Sequence, residues 1–146
     1  MTEISSNSLL GVRVLLVEDD EDTRELFAMV LEEAGADVRT ALDATEARRA
    51  IGQWSPSIVV SDLAMPMTDG FTLLRDVRSV HPQVPAIAVT GMGNAKDREA
   101  ALAAGFQAHV TKPLGPETLV GIVREWAVHD GVATRDDSAI RPSPLP

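Results

Sequence analysis

Four short apolar runs, each followed at once by a polar side chain, constrain the fold of this chain more than any other feature. The runs and their polar ends are Val12 to Val17 with Glu18 and Asp19, Ile58 to Ser61 with Asp62, Ala86 to Val89 with Thr90, and Val110-Thr111 with Lys112. In an open α/β sheet, ligands bind outside the carboxyl ends of the parallel strands. If the runs are strands of one sheet, their polar ends therefore form one site.

Five segments with a helical spacing of apolar residues alternate with the strand-like runs. The first closes at Gly35, the second starts at the capping-box pair Asp43 and Glu46, the third spans 70 to 80, the fourth is capped by Asn94, and the fifth opens at Pro116. A weaker run over 36 to 40 supplies a fifth strand. Strands joined by helical crossovers run parallel in one sheet, so the pattern predicts a doubly wound (βα)5 domain.

The length of 146 residues suits one domain, which we place at residues 11 to 129. Residues 1 to 10 are rich in Ser and Asn, and residues 130 to 146 contain three prolines, so we expect a mobile tail at each end. The chain has no cysteine, no secretory signal pattern and no apolar stretch of membrane-spanning length. These features predict a cytoplasmic protein without a membrane partner.

The formal net charge of -9 opposes direct nucleic-acid binding, because that affinity rests largely on Lys and Arg neutralising phosphates. The acidic residues are concentrated between positions 18 and 25: Glu18, Asp19, Asp20, Glu21, Asp22 and Glu25. Acids also favour the first turn of a helix. We therefore interpret Asp20 and Asp22 as helix-start residues, and Glu18 and Asp19 as part of the site.

The polar strand ends suit phosphoryl chemistry. Glu18, Asp19 and Asp62 would bring three carboxylates together, and two unit charges about 4 Å apart repel by about 4 kcal/mol at an effective dielectric near 20. Mg²⁺ would compensate this repulsion, since it binds one or two carboxylates and accepts phosphate oxygens. Lys112 and Thr90 could bind the oxygens of a phosphoryl group, and Asp62 could act as its nucleophilic acceptor. Taken singly, each residue could equally be an ordinary turn, cap or surface residue.

Several motifs resemble the receiver domains of two-component response regulators. They are Leu15-Leu16-Val17-Glu18-Asp19-Asp20, Ser61-Asp62-Leu63-Ala64-Met65-Pro66, Asp69-Gly70, Val89-Thr90-Gly91 and Thr111-Lys112-Pro113, and their spacing is also that of the family. The resemblance implies a flavodoxin-like fold, with a five-stranded parallel sheet in the order 2-1-3-4-5 flanked by helices. It also implies a stand-alone receiver, since no output domain is expected after residue 129.

By this resemblance, Asp62 is the phosphoacceptor. Asp19 would hold Mg²⁺ directly and Glu18 through water, and the backbone carbonyl of Ala64 would complete the protein ligands of the metal. Lys112 and Thr90 would bind the phosphoryl oxygens. The peptide bond between Lys112 and Pro113 occupies a position that is cis in the family.

His109 departs from the family pattern, because many members have Tyr or Phe there as the aromatic residue that moves inward with the switch threonine. His109 is either a switch residue acting with Thr90 or an ordinary, partly exposed strand residue. Both interpretations stay open at the level of the sequence.

The resemblance implies a receiver that takes a phosphoryl group from a histidine kinase or histidine phosphotransfer protein. It would then control a downstream protein through its fourth helix, fifth strand and fifth helix, as a monomer or weak dimer that catalyses only its own phosphorylation and dephosphorylation.

A phosphatase of the haloacid dehalogenase type is an alternative, but it needs an acid where this chain has Ala64. A flavin-binding module is a second alternative, but the five aromatic residues of the chain are few for stacking on a flavin. A receiver that works without phosphorylation is a third, but it would not need the complete set of polar strand ends.

Overall fold

The computed structural model describes residues 8–63, 70–91, 95–129 and 132–133. The strands of the main sheet are β1 (Arg13–Val17), β2 (Asp37–Ala41), β3 (Ile58–Asp62), β4 (Ala86–Thr90) and β5 (Ala108–Thr111). The helices are α1 (Glu21–Glu33), α2 (Ala44–Ile51), α3 (Gly70–Val80), α4 (Ala95–Ala104) and α5 (Pro116–Trp126). A pair of two-residue strands follows, β6 (Val128–His129) and β7 (Val132–Ala133), which run antiparallel. Such short strands have no periodicity that a sequence pattern could reveal.

The main sheet has the order β2-β1-β3-β4-β5, and all four neighbouring pairs are parallel. The predicted doubly wound (βα)5 fold and its strand order are therefore confirmed. The register pairs Val17 with both Ala41 and Ser61, and Asp62 with Val89. The strand ends are consequently level with one another, which brings the residues that follow them to one edge of the sheet.

Helices cover both faces of the sheet. Because successive side chains of a strand point to opposite faces, Leu15 and Val17 pack with α2 and α3, while Val14 and Leu16 pack with α1 and α5. Every residue of β3 and β4 is buried. Burial on both faces explains why these two strands appear in the sequence as continuous apolar runs.

The amino-terminal turn contributes to the core. Leu9, which lies in the predicted tail over residues 1 to 10, is fully buried, and its N–H donates to the carbonyl of Ala34 at 2.7 Å. Gly11 adopts a φ of 87° as the chain turns into β1, a conformation that favours glycine. Leu9 and Leu10 follow polar residues and have no periodic partner in the sequence, so the tertiary structure decides that Leu9 is the buried one. The limits of the domain and of the carboxyl-terminal tail stay predictions.

Predicted helix starts are present at two positions. At α2, Asp43 Oδ1 accepts from the N–H of Glu46 at 2.9 Å, and Glu46 Oε1 accepts from the N–H of Leu42 at 2.8 Å. This is a capping box in which the glutamate bonds one residue before the cap. Pro116 opens α5 in its first turn, where its missing N–H costs no helical hydrogen bond. Asn94, the predicted cap of the fourth helix, lies outside the described residues.

No helix in the part of the chain that the structure describes is long and apolar enough to cross a membrane.

Arg78 fastens the end of α3 to the strands beside it. Its Nε donates to the carbonyl of Val84 at 3.0 Å, and its Nη2 donates to the carbonyl of Gly105 at 3.1 Å and to Oε1 of Gln107 at 2.9 Å. The same Gln107 oxygen accepts from the N–H of Ala86 at 2.7 Å. Burial lowers the pKa of Arg78 from its ordinary value. One guanidinium therefore connects the loops that lead into β4 and β5.

We expect Arg78→Met to lower the free energy of unfolding by about 2–3 kcal/mol, because hydrogen bonds to charged groups are lost and half-buried acceptors lose their donor. Arg48→Met is the matched control. Arg48 makes an exposed ion pair with Asp76 at 2.9 Å, and such surface pairs contribute only about 0–1 kcal/mol. Urea unfolding of both variants measures the difference. Similar losses in the two variants would contradict a structural role of the Arg78 network.

Candidate functional site

The polar residues at the strand ends converge at the carboxyl edge of the sheet. Glu18 and Asp19 follow β1, Asp62 ends β3, Thr90 ends β4, and Lys112 follows β5. Glu18, Asp62 and Thr90 are buried, whereas Asp19 is exposed. The backbone ties the edge together, since the N–H of Lys112 donates to the carbonyl of Thr90 at 2.7 Å. The sheet thus collects residues from four strands into one polar, largely buried site.

Three carboxylates form the acidic part of this site. Each of Glu18, Asp19 and Asp62 offers an oxygen, and these oxygens lie within 4.8 Å of one another. Hard oxygen donors at this spacing fit a divalent cation such as Mg²⁺, which commonly takes one or two carboxylates and keeps several waters. The exposed position of Asp19 gives solvent, and hence a hydrated ion, access to the group. The carbonyl of Ala64, predicted as a further ligand, lies outside the described residues.

Lys112 places a positive charge beside the buried carboxylates. Its Nζ lies 2.8 Å from Glu18 Oε1 and 3.6 Å from Asp62 Oδ2. Burial lowers the pKa of Lys112, but the hydrogen bond to Glu18 and the charge of Asp62 outweigh burial, so the net pKa is raised. Burial raises the pKa of Glu18, because it disfavours the charged carboxylate, and Lys112 offsets only part of that rise. The lysine is therefore held in its charged form against two buried carboxylates. The peptide bond after it, between Lys112 and Pro113, is cis.

Glu18 already has protein partners on both carboxylate oxygens. Oε1 pairs with Lys112, and Oε2 accepts from the N–H of Asp20 at 3.2 Å. Its backbone N–H also donates to the carbonyl of Ala41 at 3.0 Å. Each oxygen of Glu18 thus already has one protein partner, whereas Asp19 lies at the exposed side of the carboxylate group.

Asp20 is a helix cap. Its Oδ2 accepts from the N–H of Thr23 at 2.9 Å and from the Thr23 hydroxyl at 2.6 Å, and its backbone is extended, with φ -78° and ψ 117°. These hydrogen bonds lower the pKa of Asp20. Its predicted interpretation as a helix-start residue agrees with this geometry. The acidic run is therefore divided, with its first two residues at the site and its third at the start of α1.

Arg24 is a residue of the site that the sequence pattern did not single out. Its Nη1 donates to the carbonyl of Glu18 at 3.0 Å and to the carbonyl of Asp19 at 3.4 Å. A signal was available, because Arg24 is the one basic residue in the acidic segment from 18 to 25. Its contacts are made to backbone oxygens, however, and a sequence pattern does not show where a side chain six residues away will reach.

Thr90 and His109 are in contact. The Thr90 hydroxyl oxygen lies 3.3 Å from His109 Nε2, and the direction of this hydrogen bond depends on which imidazole nitrogen carries the proton. His109 is half-buried on β5, two residues before the end of β5, and its register partner on β4 is Ala88. The structure therefore brings the two predicted switch residues together, and His109 shares a polar contact with the site.

Known proteins resemble this chain in sequence. A family model described as the response regulator receiver domain matches residues 14–124. An uncharacterized 14.6 kDa protein of Leptolyngbya boryana is 40% identical over 123 residues, which are 83% of this chain and 94% of that protein. The probable transcriptional regulatory protein TcrX of Mycobacterium tuberculosis is 34% identical over 128 residues, which are 88% of this chain but only 55% of TcrX. The chain thus spans about half the length of this second relative.

Solved structures resemble the fold as well. The chemotaxis protein CheY4 of Vibrio cholerae superposes with a TM-score of 0.75 and 28% sequence identity, covering 79% of this chain and 98% of that one. A receiver domain of the Francisella response regulator 1452 gives a TM-score of 0.71 at 28% identity, over 77% of this chain and 93% of the other. Both comparisons extend over most of the five-stranded domain.

Lys112→Met removes the cation from the two buried carboxylates. We expect the free energy of unfolding of the metal-free protein to fall by about 2 kcal/mol near pH 7, which is less than the loss for a fully buried pair because Lys112 is 24% exposed. The loss should shrink at about pH 4, since Glu18, whose pKa is raised, takes up a proton and leaves less charge uncompensated. Urea unfolding at both pH values measures this change, with Arg48→Met as control.

The sign of this pH dependence follows from the two pKa directions. The folded pKa of Lys112 is raised, so the ammonium is charged at neutral and acidic pH, and the stability that depends on its own titration is lost only as the pH rises through that folded pKa. The lysine is therefore charged at both pH values of the experiment, and the smaller loss at about pH 4 comes from protonation of Glu18, whose pKa is raised by burial. A loss that grows toward acid would contradict the pairing of Lys112 with buried carboxylates.

Proposed function

The chain belongs to the response regulator receiver family, and we propose that it takes a phosphoryl group from a phosphohistidine donor onto Asp62 with Mg²⁺ bound. The donor would be a histidine kinase or a histidine phosphotransfer protein. The observation that carries this proposal is the grouping of the Glu18, Asp19 and Asp62 carboxylates beside the Lys112 ammonium at one edge of the sheet. An acceptor carboxylate, oxygen ligands for a cation and a fixed positive charge are the parts that phosphoryl transfer needs.

In the proposed reaction, a carboxylate oxygen of Asp62 attacks the phosphorus atom. The bond between phosphorus and the donor imidazole nitrogen breaks, and its electron pair stays on that nitrogen. The imidazole leaves as the neutral ring because its other nitrogen already carries a proton. Lys112 and the Thr90 hydroxyl bind oxygens of the transferred group. Held by Asp19, Asp62 and the carbonyl of Ala64, Mg²⁺ would supply positive charge that stabilises the transferred group. Most of the catalysis is positioning and electrostatic stabilisation, which suits a chain that catalyses only its own phosphorylation and dephosphorylation.

Asp19 and Asp62 are the proposed direct protein ligands of the metal, together with the carbonyl of Ala64. Glu18 would act through a metal-bound water, an assignment supported by the engagement of both its oxygens with Lys112 and the N–H of Asp20. Lys112 is closer to Glu18 than to Asp62 before phosphorylation. We expect the lysine to move toward the phosphoryl oxygens. The phosphoryl group on Asp62 would carry about two negative charges, whereas the Asp62 carboxylate that it replaces carries one.

Thr90 is the proposed link between the phosphoryl group and the protein surface. Its hydroxyl contacts His109, and a hydroxyl has one proton to donate. When that proton turns toward a phosphoryl oxygen, the hydroxyl can no longer donate it to His109. The change reaches the surface because His109 lies on β5, between α4 and α5 in the chain. The surface formed by α4, β5 and α5 would then favour one of two arrangements and bind a downstream protein accordingly. Couplings of this kind are typically about 1–3 kcal/mol.

The proposal has three further parts, which concern the target, the location and the oligomeric state. The net charge of -9 supports a protein target rather than direct binding to nucleic acid. A cytoplasmic location and a monomer or weak dimer complete the proposal. A haloacid dehalogenase-type phosphatase is disfavoured, since Ala64 stands where its second acid would be needed.

Incubation with a small acyl phosphate or phosphoramidate and Mg²⁺ tests the acceptor directly. We expect intact mass measurement to show the gain of one phosphoryl group on the parent protein, its dependence on Mg²⁺, and its absence from Asp62→Asn. Asp37→Asn, at the start of β2 on the opposite edge of the sheet, is the matched control and should be phosphorylated like the parent. Labelling of Asp62→Asn as fast as the parent would place the acceptor elsewhere.

The exchange of partners by the Thr90 hydroxyl is tested with beryllofluoride, a phosphoryl analogue. If His109 competes for the hydroxyl, His109→Phe should tighten beryllofluoride binding about two- to tenfold, which corresponds to a net hydrogen bond of about 0.5–1.5 kcal/mol. In a Thr90→Val background, the same substitution should have little effect. Calorimetric titration of the four proteins completes the cycle. Equal effects of His109→Phe in both backgrounds would show that His109 acts independently of Thr90.

A further inference from the structure

We infer that Arg24 is a positioning residue for the acidic pair Glu18 and Asp19. The inference rests on the proposed function in one respect, since it assigns to that pair the binding of a divalent cation. Arg24 is half-buried in the second turn of α1, and its side chain turns back toward the loop that precedes the helix. It contacts the acidic residues through their backbone carbonyls and not through their carboxylates.

Arg24 holds three consecutive residues of this loop. Its Nη1 donates to the carbonyl of Glu18 at 3.0 Å and, more weakly, to that of Asp19 at 3.4 Å. Its backbone N–H donates to the carbonyl of Asp20 at 2.9 Å, as the first hydrogen bond of the helix. A carbonyl held in place restrains the peptide planes around it, and these planes set the direction in which the side chain leaves the backbone. Holding the carbonyls of Glu18 and Asp19 therefore helps to aim their carboxylates.

In the part of the chain that the structure describes, the other contacts of the acidic pair hold Glu18 and do not hold the backbone of Asp19. Glu18 is fastened at its N–H by Ala41 and at its carboxylate by Lys112 and Asp20. Among the hydrogen bonds found in the described residues, the contact from Arg24 is the one made to the backbone of Asp19 from outside the loop. Asp19 is also the exposed member of the carboxylate group, so packing restrains it less than Glu18 or Asp62. The residue proposed as a direct metal ligand thus depends on Arg24 for its orientation.

Charge and position predict opposite results when Arg24 is replaced, which makes the inference testable. If Arg24 acted only through its charge, its removal would take a cation away from a site for a dication, and Mg²⁺ would bind more tightly. If Arg24 positions Asp19, its removal would loosen the ligand and weaken Mg²⁺ binding. Loss of groups that orient metal ligands typically costs about 10–100-fold in metal affinity.

The experiment is calorimetric titration of the unphosphorylated full chain with Mg²⁺, comparing the parent with Arg24→Met, Arg24→Lys and the surface control Arg48→Met. Positioning predicts a dissociation constant about tenfold higher in Arg24→Met, a smaller increase in Arg24→Lys, and no change in Arg48→Met. Lysine keeps the charge but loses the planar fork of donors. Thermal unfolding of each variant without metal checks that the fold is retained.

Each outcome decides between the two explanations. A dissociation constant for Arg24→Met that is equal to or lower than that of the parent overturns the inference. If Arg24→Met does not fold, Arg24→Lys decides alone, and an affinity equal to that of the parent overturns the inference. If the parent itself binds no Mg²⁺, the failure lies with the metal site of the proposed function. If the parent binds Mg²⁺ and both Arg24 variants bind it equally well, only the role of Arg24 is wrong.

Discussion

The interaction on which the site depends is the pairing of Lys112 with two buried carboxylates. Glu18 is 2% exposed and Asp62 is 7% exposed, and burial of an unpaired carboxylate is costly. The ammonium 2.8 Å from one and 3.6 Å from the other compensates part of this cost. Three carboxylates beside one ammonium would favour a divalent cation at this site. In the proposed reaction the same positive charge would stabilise the phosphoryl group, so one residue would support both the fold and the chemistry.

The doubly covered sheet creates this situation. Helices on both faces exclude water from β3 and β4, so that Asp62 and Thr90 lie at the ends of strands that are buried throughout. Their outer ends open at the carboxyl edge, where exposed Asp19 admits solvent. A phosphoryl group bound there would be surrounded by groups whose positions the strand register has already set. Preorganisation of this kind lowers the cost of stabilising charge during transfer.

Two polar residues extend the site beyond its reacting groups. Arg24 reaches from α1 to the loop after β1, and His109 reaches from β5 to Thr90. The first contact favours a fixed arrangement of the acidic pair, whereas the second involves a hydroxyl that can change its partner. In the proposed function, the side of the site at β1 and α1 would keep its arrangement, while the side at β4 and β5 would respond to the phosphoryl group. A phosphoryl group can shift the surface only as far as it interacts differently with the two arrangements.

The sequence by itself determined the elements and the identity of the polar strand ends. Apolar runs, the Asp43–Glu46 capping box and Pro116 depend on local interactions, so their patterns predicted the five strands, the five helices and the parallel sheet. The convergence of Glu18, Asp62, Thr90 and Lys112 also followed, because parallel strands share one carboxyl edge. The family motifs added the expected roles of these residues.

Only the tertiary structure decided which partner each polar atom has. It engaged both oxygens of Glu18, directed Arg24 to two carbonyls, joined Thr90 to His109 and buried Leu9 against the end of α1. These contacts join residues on different elements or depend on how a long side chain turns, and neither has a periodic signature. The physical reason is that hydrogen bonds require angstrom-level geometry, whereas hydrophobic patterning requires only that a side chain face the core.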